Sequence, residues 1–538
     1  MINKIKSQKL GLIAVFIALV IAFGCKENKT PETETPIVSA ENLDEEFYRP
    51  NYHFTPKANW MNDPNGMFYL NGTYHLYFQY YPDGNVWGPM HWGHATSKDL
   101  IIWEEQPIAL YPDELGLIFS GSAVVDKQNT SGFGKDGITP VVAIYTYHNM
   151  DGEKAGDIDF QTQGIAYSLD EGMTWVKYSD NPVIKNPGIK DFRDPKVIWD
   201  SQTNKWIMSL AAGNKIMFYS SENLKDWVFE SEFGEDKGEH GGVWECPDLF
   251  PMKVENSETT KWVLLVSINP SGPNGGSATQ YFIGDFDGHN FVLDKDFDQQ
   301  LSQSKSIWLD YGRDNYAGVT WSNIPESDGR HLFMGWMSNW DYARDVPTYK
   351  WRSTMTIARE LQLRKNNNTF NLMSFPVDEL NQFADIKLSK ISLSSNELNG
   401  VLKDLDVDFE KLGLDFTLNG LKNDAYKFVF NNKAGDTLTL GLDNETNELY
   451  IDRRHSGKVD FSEKFAPHIS KAKLPNSIKE LKVQILLDKT SVEVFYNDGE
   501  FVMTELFFPN KPFEEFSIIS NDDAFIIENF KVREFKFN

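Results

Sequence analysis

Ser97-Lys98-Asp99-Leu100-Ile101-Ile102-Trp103, Ser168-Leu169-Asp170-Glu171-Gly172-Met173-Thr174-Trp175, Ser221-Glu222-Asn223-Leu224-Lys225-Asp226-Trp227 and Asp285-Phe286-Asp287-Gly288-His289-Asn290-Phe291 share one outline. Each ends an apolar run with a polar turn, after which an aromatic residue opens the next run. The aromatics stand 72, 52 and 64 residues apart. That spacing is too irregular for a solenoid but suits β-propeller blades with loops of variable length. The runs between these turns, such as Met67-Phe68-Tyr69-Leu70 and residues 141–147, 207–211 and 262–268, are short, rich in β-branched and aromatic residues, and fenced by Gly, Asn, Asp and Pro. Helical periodicity is nearly absent. Residues 51–365 hold about five blades of this size, so the pattern predicts an all-β chain that begins with a five-bladed β-propeller.

Beyond Met373-Ser374-Phe375-Pro376 the composition shifts toward Lys, Asn, Asp and Leu, and the strands lengthen. Asp436-Thr437-Leu438-Thr439-Leu440-Gly441-Leu442 alternates with period two, and residues 491–508 fold back through Asn497-Asp498-Gly499, a strong hairpin signal. Residues 376–538 are therefore expected to form a β-sandwich with a supporting role, packed on the propeller through an apolar interface.

The other end of the chain differs from both. Lys4, Lys6 and Lys9 precede an unbroken apolar run of 15 residues, 10–24. At ~1.5 Å per residue such a run spans about 22 Å, short of the roughly 30 Å of a bilayer core. Residues 1–24 thus read as a signal peptide. Ala22-Phe23-Gly24-Cys25 resembles a bacterial lipobox, which implies lipidation of Cys25 and export to a bacterial membrane, facing the periplasm or the cell surface. Residues 25–50, rich in Thr, Pro and Glu, read as a disordered tether. Cys25 and Cys246 are the chain's two cysteines. With Cys25 acylated, Cys246 has no partner; the alternative is a soluble secreted protein in which the two pair.

Charge and composition narrow the ligand. Among 538 residues, 52 Lys and Arg face 78 Asp and Glu, a formal net charge of −26. Such a surface repels phosphate backbones and anionic bilayers, so no nucleic acid and no membrane contact beyond the anchor is expected. Fifteen Trp suit neutral sugars. His-Glu-x-x-His, Cys-x-x-Cys and Gly-x-x-x-x-Gly-Lys are absent, and His91 and His94 lack a third ligand nearby. Neither metal nor cofactor is expected, and the chain is read as a monomer.

Three acids stand beside or just before a proline that leads into an apolar strand: Asn62-Asp63-Pro64, Arg193-Asp194-Pro195 and Glu245-Cys246-Pro247. Proline is tolerated at a strand start because its missing N–H is not needed there. In a propeller the innermost strands line the axis, so equivalent strand starts converge at one end. Acids 131 and 51 residues apart would become neighbours.

The stretch Trp60-Met61-Asn62-Asp63-Pro64-Asn65-Gly66 resembles the signature of glycoside hydrolase family 32, the invertases, inulinases and levanases. The likeness continues through Gln79-Tyr80-Tyr81-Pro82, residues 87–95, Phe119-Ser120-Gly121-Ser122-Ala123, Phe192-Arg193-Asp194-Pro195, Trp244-Glu245-Cys246-Pro247-Asp248, Gly335-Trp336-Met337-Ser338-Asn339-Trp340 and Ser491-Val492-Glu493-Val494-Phe495. It implies Asp63 as nucleophile, Asp194 as transition-state stabiliser and Glu245 as general acid/base. Cleaving a ketosidic bond through an oxocarbenium-like centre needs just such a carboxylate and carboxylic acid. Asp63 and Asp194 are expected to act on Glu245 by like-charge repulsion, and Arg193 to act in the reverse sense on its neighbours. Trp60, Trp87, Phe119 and Trp340 would offer apolar faces to the sugar, and Asn62, Gln79, Ser120 and Arg193 would hold its hydroxyls. The segment Asp310-Tyr311-Gly312-Arg313-Asp314-Asn315-Tyr316-Ala317 also resembles a family motif, with a supporting or structural role. The resemblance implies a retaining hydrolase that frees terminal fructose from levan, inulin and sucrose. Endo-levanase action and an inactive fructan-binding lipoprotein are the alternatives.

Overall fold

In the computed structural model, residues 46–403 and 405–537 are described; the predicted leader, the tether up to residue 45 and Cys25 lie outside them. Among the described residues the chain is all-β, as expected, with three short α-helices. Residues 59–376 form five sheets, and the innermost strands are Asn59–Leu70, Leu117–Val125, Phe192–Asp200, Val243–Lys253 and Tyr316–Thr320. From each inner strand the chain meanders outward through antiparallel neighbours. Each inner strand packs on the next, and the fifth returns to the first, so the ring closes. Trp351–Arg352 adds a parallel strand to the first sheet and ties the last segment of the ring to the beginning.

The four repeated segments are the outermost turns of the first four sheets: His91–Ser97 to Trp103–Leu110, Gln161–Ser168 to Val176–Lys177, Ile216–Ser221 to Val228–Phe233, and Ala278–Phe286 to Phe291–Leu293. A short polar side chain organises each one. Asp99 Oδ1 accepts from the N–H groups of Ile101 and Ile102, Asp170 Oδ1 from Thr174, Asn223 Oδ1 from Lys225 and Asp226, and Asp287 Oδ1 from His289 and Asn290. Leu100 and Leu224 sit at positive φ, 67° and 63°. Both are fully buried, and each receives an indole N–H on its carbonyl, from Trp103 and Trp227 at 3.1 Å. Packing thus holds a backbone conformation that leucine otherwise avoids.

The fifth sheet corrects one boundary. It extends beyond residue 365, because Arg359–Asn366 pairs with Thr369–Pro376 as a hairpin. Asn366-Asn367-Asn368 resembles a linker in composition, but Asn367 at φ 54° makes it a tight turn.

Residues 384–535 form two further sheets, one of six strands and one of five. Between them lies a core that includes Leu414, Phe416, Phe428, Leu440, Ile485 and Phe530. Asn497-Asp498-Gly499, all at positive φ, turns Ser491–Tyr496 into Phe501–Leu506 as predicted. The contact with the ring is not merely apolar. Leu486, Phe495, Val502 and Phe535 join a cluster with Tyr316, Trp336 and Met355, but buried charges run through the same surface. Arg359 pairs with Asp310 and Glu493, and His53 lies between Asp488 at 2.8 Å and Glu493 at 2.7 Å. Arg453 reaches Asp314 and Glu505. Asp310 and Asp314 therefore serve this interface.

Candidate active site

All five inner strands carry the same irregularity near their start: two residues oppose one on the neighbouring strand. The interrupted intervals are Met61 to Pro64, Ile118 to Gly121, Arg193 to Lys196, Glu245 to Asp248 and Tyr316 to Val319. A bulge of this kind leaves a residue out of the ladder and re-aims its side chain. Pro195 and Pro247 explain two of the five, since a residue without N–H cannot extend the ladder, and Pro64 closes the interval in the first strand. In the second strand Gly121 permits the bulge, because a Cβ there would lie 2.0 Å from the Ile144 carbonyl oxygen. Asp194, Cys246 and Ala317 occupy left-handed conformations, at φ 65°, 45° and 53°. The strained Asp194 N–H is satisfied by Thr146 Oγ1 at 3.0 Å, and the Cys246 N–H by Asp194 Oδ2 at 3.0 Å.

The bulges open on one cavity of about 460 Å³ lined by Asn62, Asp63, Gln79, Trp87, Phe119, Ser120, Arg193, Asp194, Glu245 and Trp340, among others. Asp63 accepts from Asn62 Nδ2 and from Ser120 Oγ, both at 3.0 Å. Arg193 donates to Glu245 Oε1 from Nη2 at 2.8 Å and from Nε at 3.2 Å, and to Asp191 at 2.7 Å. The Tyr316 hydroxyl donates to Glu245 Oε2. Gln79 Nε2 is buried with no acceptor among the described residues, a donor left for a ligand.

Burial, and then the charge of Glu245, raises the Asp63 carboxyl to about 6. Burial raises Asp194 to about 7; Arg193 opposes the rise, while Glu245 and Asp63 reinforce it. Burial and the surrounding carboxylates push the Cys246 thiol well up, so it remains an S–H donor, 3.6 Å from Asp194 Oδ2 and 3.8 Å from Asp63 Oδ2. The charged group nearest Glu245 is the Arg193 guanidinium, at 2.8 Å.

Two further placements depart from expectation. Trp60 is fully buried and absent from the cavity wall. It stacks on Trp340 at 5.9 Å and donates its indole N–H to Asn62 Oδ1 at 2.7 Å, so it supports the wall from behind. Tyr316, treated as part of a supporting segment, meets Glu245 directly. The five-fold recurrence of the bulge marks it, but its strand start has Ala317-Gly318 in place of proline and so gives no proline signal. His148, Glu153, Phe160, Gln161, Asp191, Asn269 and Arg344 also line the cavity; no motif singled them out. Among the described residues no group of His, Cys, Asp and Glu is arranged to hold a metal ion.

The chain resembles known proteins along most of its length. Residues 53–376 match the N-terminal domain of the glycosyl hydrolases family 32, and residues 379–534 match the family's C-terminal domain. A levanase of Bacillus subtilis (strain 168) is 48% identical over 472 residues, covering 87% of this chain and 67% of the relative. The crystal structure of exo-inulinase from Aspergillus awamori superposes with a TM-score of 0.79 at 36% identity, over 91% of this chain and 98% of the other. A fructofuranosidase variant from Schwanniomyces occidentalis complexed with fructosylnystose gives 0.81 at 35%, over 92% and 99%.

Proposed function

The chain belongs to glycosyl hydrolases family 32, and on that premise we propose that it is a retaining β-fructosidase that frees terminal fructose from levan, inulin and sucrose. It is a glycosidase of the levanase and inulinase kind. The observation that carries the mechanistic reading is the convergence of Asp63, Asp194 and Glu245, from three different sheets, on one cavity. We read the closed ring as a five-bladed propeller and the two C-terminal sheets as a sandwich braced against it.

In this reading Asp63, held by Asn62 and Ser120, attacks the anomeric carbon while Glu245 gives a proton to the leaving oxygen. A covalent fructosyl-enzyme forms; Glu245 then takes a proton from water, which releases fructose with its configuration retained. Asp194, fixed by Cys246 N–H and flanked by Arg193, accepts sugar hydroxyls and stabilises charge in the transition state. Trp87, Phe119 and Trp340 give the ring its apolar walls. Exo action is favoured by the small cavity, which admits few sugar units at once. Levan digestion should yield free fructose from the first time point; early oligosaccharides with little fructose would establish endo action.

The anchor is a separate proposal and rests on the Cys25 context alone. Acylated Cys25 would hold the enzyme on a bacterial membrane with the catalytic body at the end of the tether. Cys25→Ala should move the protein from the membrane fraction to the soluble one, whereas equal partition of both forms would refute the anchor.

A further inference from the structure

One wall of the cavity contains a directional chain of hydrogen bonds that the proposed chemistry does not use. Phe192 N–H donates to Gln161 Oε1 at 2.8 Å, which fixes the orientation of that amide. Gln161 Nε2 must then donate to His148 Nδ1, 3.2 Å away. His148 consequently carries its proton on Nε2 and donates it to Glu153 Oε2 at 3.0 Å. The imidazole is held flat by Phe119, whose ring stacks on it at 4.2 Å and 7°. Burial lowers the His148 pKa, in keeping with a neutral ring that has one acceptor and one donor nitrogen.

The chain begins at the centre of the chemistry and ends at the rim. Glu245 contacts Arg193, Arg193 Nη1 contacts Gln161 Oε1 at 3.4 Å, and the series continues through His148 to Glu153. Glu153 lies on the short helix Met150–Ala155, which is capped by Asn149 at its start and closed by Gly156 at φ 85°. Its side chain is 44% exposed and lines the same cavity. One carboxylate oxygen is occupied by His148; the other has no partner among the described residues. Asn62, Asp63, Gln79 and Ser120 come from the first two sheets, and Glu153 stands in the second sheet's connection between Val141–His148 and Gln161–Ser168. Glu245 marks the leaving-group side, and Glu153 is the outward end of the series that starts from it.

We infer that Glu153, oriented by neutral His148, determines specificity by accepting hydroxyl hydrogen bonds from the leaving saccharide. The inference rests on the fructosidase reading above. A carboxylate fixed through one oxygen loses little further freedom when the other accepts a sugar hydroxyl. Its charge favours polyhydroxylated, uncharged leaving groups over anionic ones.

The test compares leaving groups with and without hydroxyls. Wild type, Glu153→Ala and Glu153→Gln would be assayed on sucrose, on an inulin-type trisaccharide and on nitrophenyl β-fructofuranoside, whose aglycone has no hydroxyl. For Glu153→Ala, kcat/KM on sucrose and trisaccharide should fall about tenfold, while that on the nitrophenyl substrate should change less than about twofold. Glu153→Gln, which keeps an oxygen acceptor for His148, should show a smaller loss with the same selectivity and an unchanged melting temperature. Equal losses on all three substrates would assign Glu153 a structural role and overturn the inference, as would undiminished saccharide hydrolysis. If the wild type cleaved none of the three, the fructosidase reading itself would fail.

Discussion

Arg193 donates two N–H groups to a single carboxylate oxygen of Glu245, at 2.8 and 3.2 Å, and a third to Asp191 at 2.7 Å. The guanidinium thereby joins the third inner strand to the fourth and aims the Glu245 carboxyl, while the Tyr316 hydroxyl holds the other oxygen from the fifth. A point charge cannot reproduce this fork. Arg193→Lys should keep the fold, judged by an unchanged circular dichroism spectrum, and lose kcat/KM on the order of 100-fold. Retention of near-native activity would show that the fork is dispensable.

As the proposed nucleophile, Asp63 must be ionised to attack. Its carboxyl is raised to about 6, so kcat/KM should fall as pH drops below about 6, approaching tenfold per pH unit on the acid limb. The same shift has a stability consequence. A carboxyl whose folded pKa exceeds its unfolded value binds its proton more tightly in the native state, so stability declines as pH rises from about 4 to about 6 and the full penalty persists above. Asp63→Asn should abolish activity yet raise the melting temperature at pH 7.5, with little gain at pH 4. Equal melting temperatures of the two proteins at pH 7.5 would contradict the raised carboxyl.

The three acids should be separable by leaving group. Glu245→Ala removes only protonation, so the first step should be largely restored for nitrophenyl β-fructofuranoside, whose leaving group departs without a proton. Asp63→Ala removes the covalent route and should not recover on any substrate. Asp194→Ala should lower kcat more than it raises KM, because its contacts strengthen in the transition state. Pre-steady-state release of nitrophenol checks all three.

Much of this was legible in residue order. The polar turns ending at Trp103, Trp175, Trp227 and Phe291 signalled four sheets through local chemistry, and the prolines after Asp63, Asp194 and Cys246 signalled three inner-strand starts. Tyr316 stayed obscure because Ala317-Gly318 makes the same bulge without proline. Trp60 was misplaced because a tryptophan inside a family motif reads alike whether it faces the ligand or stacks behind it on Trp340. His148 and Glu153 carry no motif at all, since their connection to the site runs through Gln161 and exists only after folding. The buried pairs Arg359–Glu493 and Arg453–Glu505 join residues more than fifty positions apart, beyond any local pattern.

His53 offers a test of the contact between the ring and the C-terminal sheets. Burial alone would lower its pKa, but hydrogen bonds to Asp488 and Glu493 prevail and raise it to about 9. A histidine with a raised folded pKa contributes stability that is complete below its unfolded value near 6.5 and is lost as pH climbs through about 9. The melting temperature of the wild type should fall across that window. His53→Asn should be less stable by about 2–4 kcal/mol at pH 6 and approach the wild type at pH 9.5. A constant difference between the two proteins at all pH values would remove the ionic account. Truncation after Pro376 should give aggregates, because it exposes both Arg359 and the apolar cluster that Phe495 and Phe535 complete.

The measurement that bears most directly on the central claim is NMR of the first sugar released, recorded before mutarotation. With Asp63 as nucleophile and Glu245 as acid/base, digestion of inulin or levan should liberate β-fructofuranose, the configuration of the substrate, as the initial product. Initial release of the α-anomer would mean direct attack by water and would contradict the assignment of Asp63.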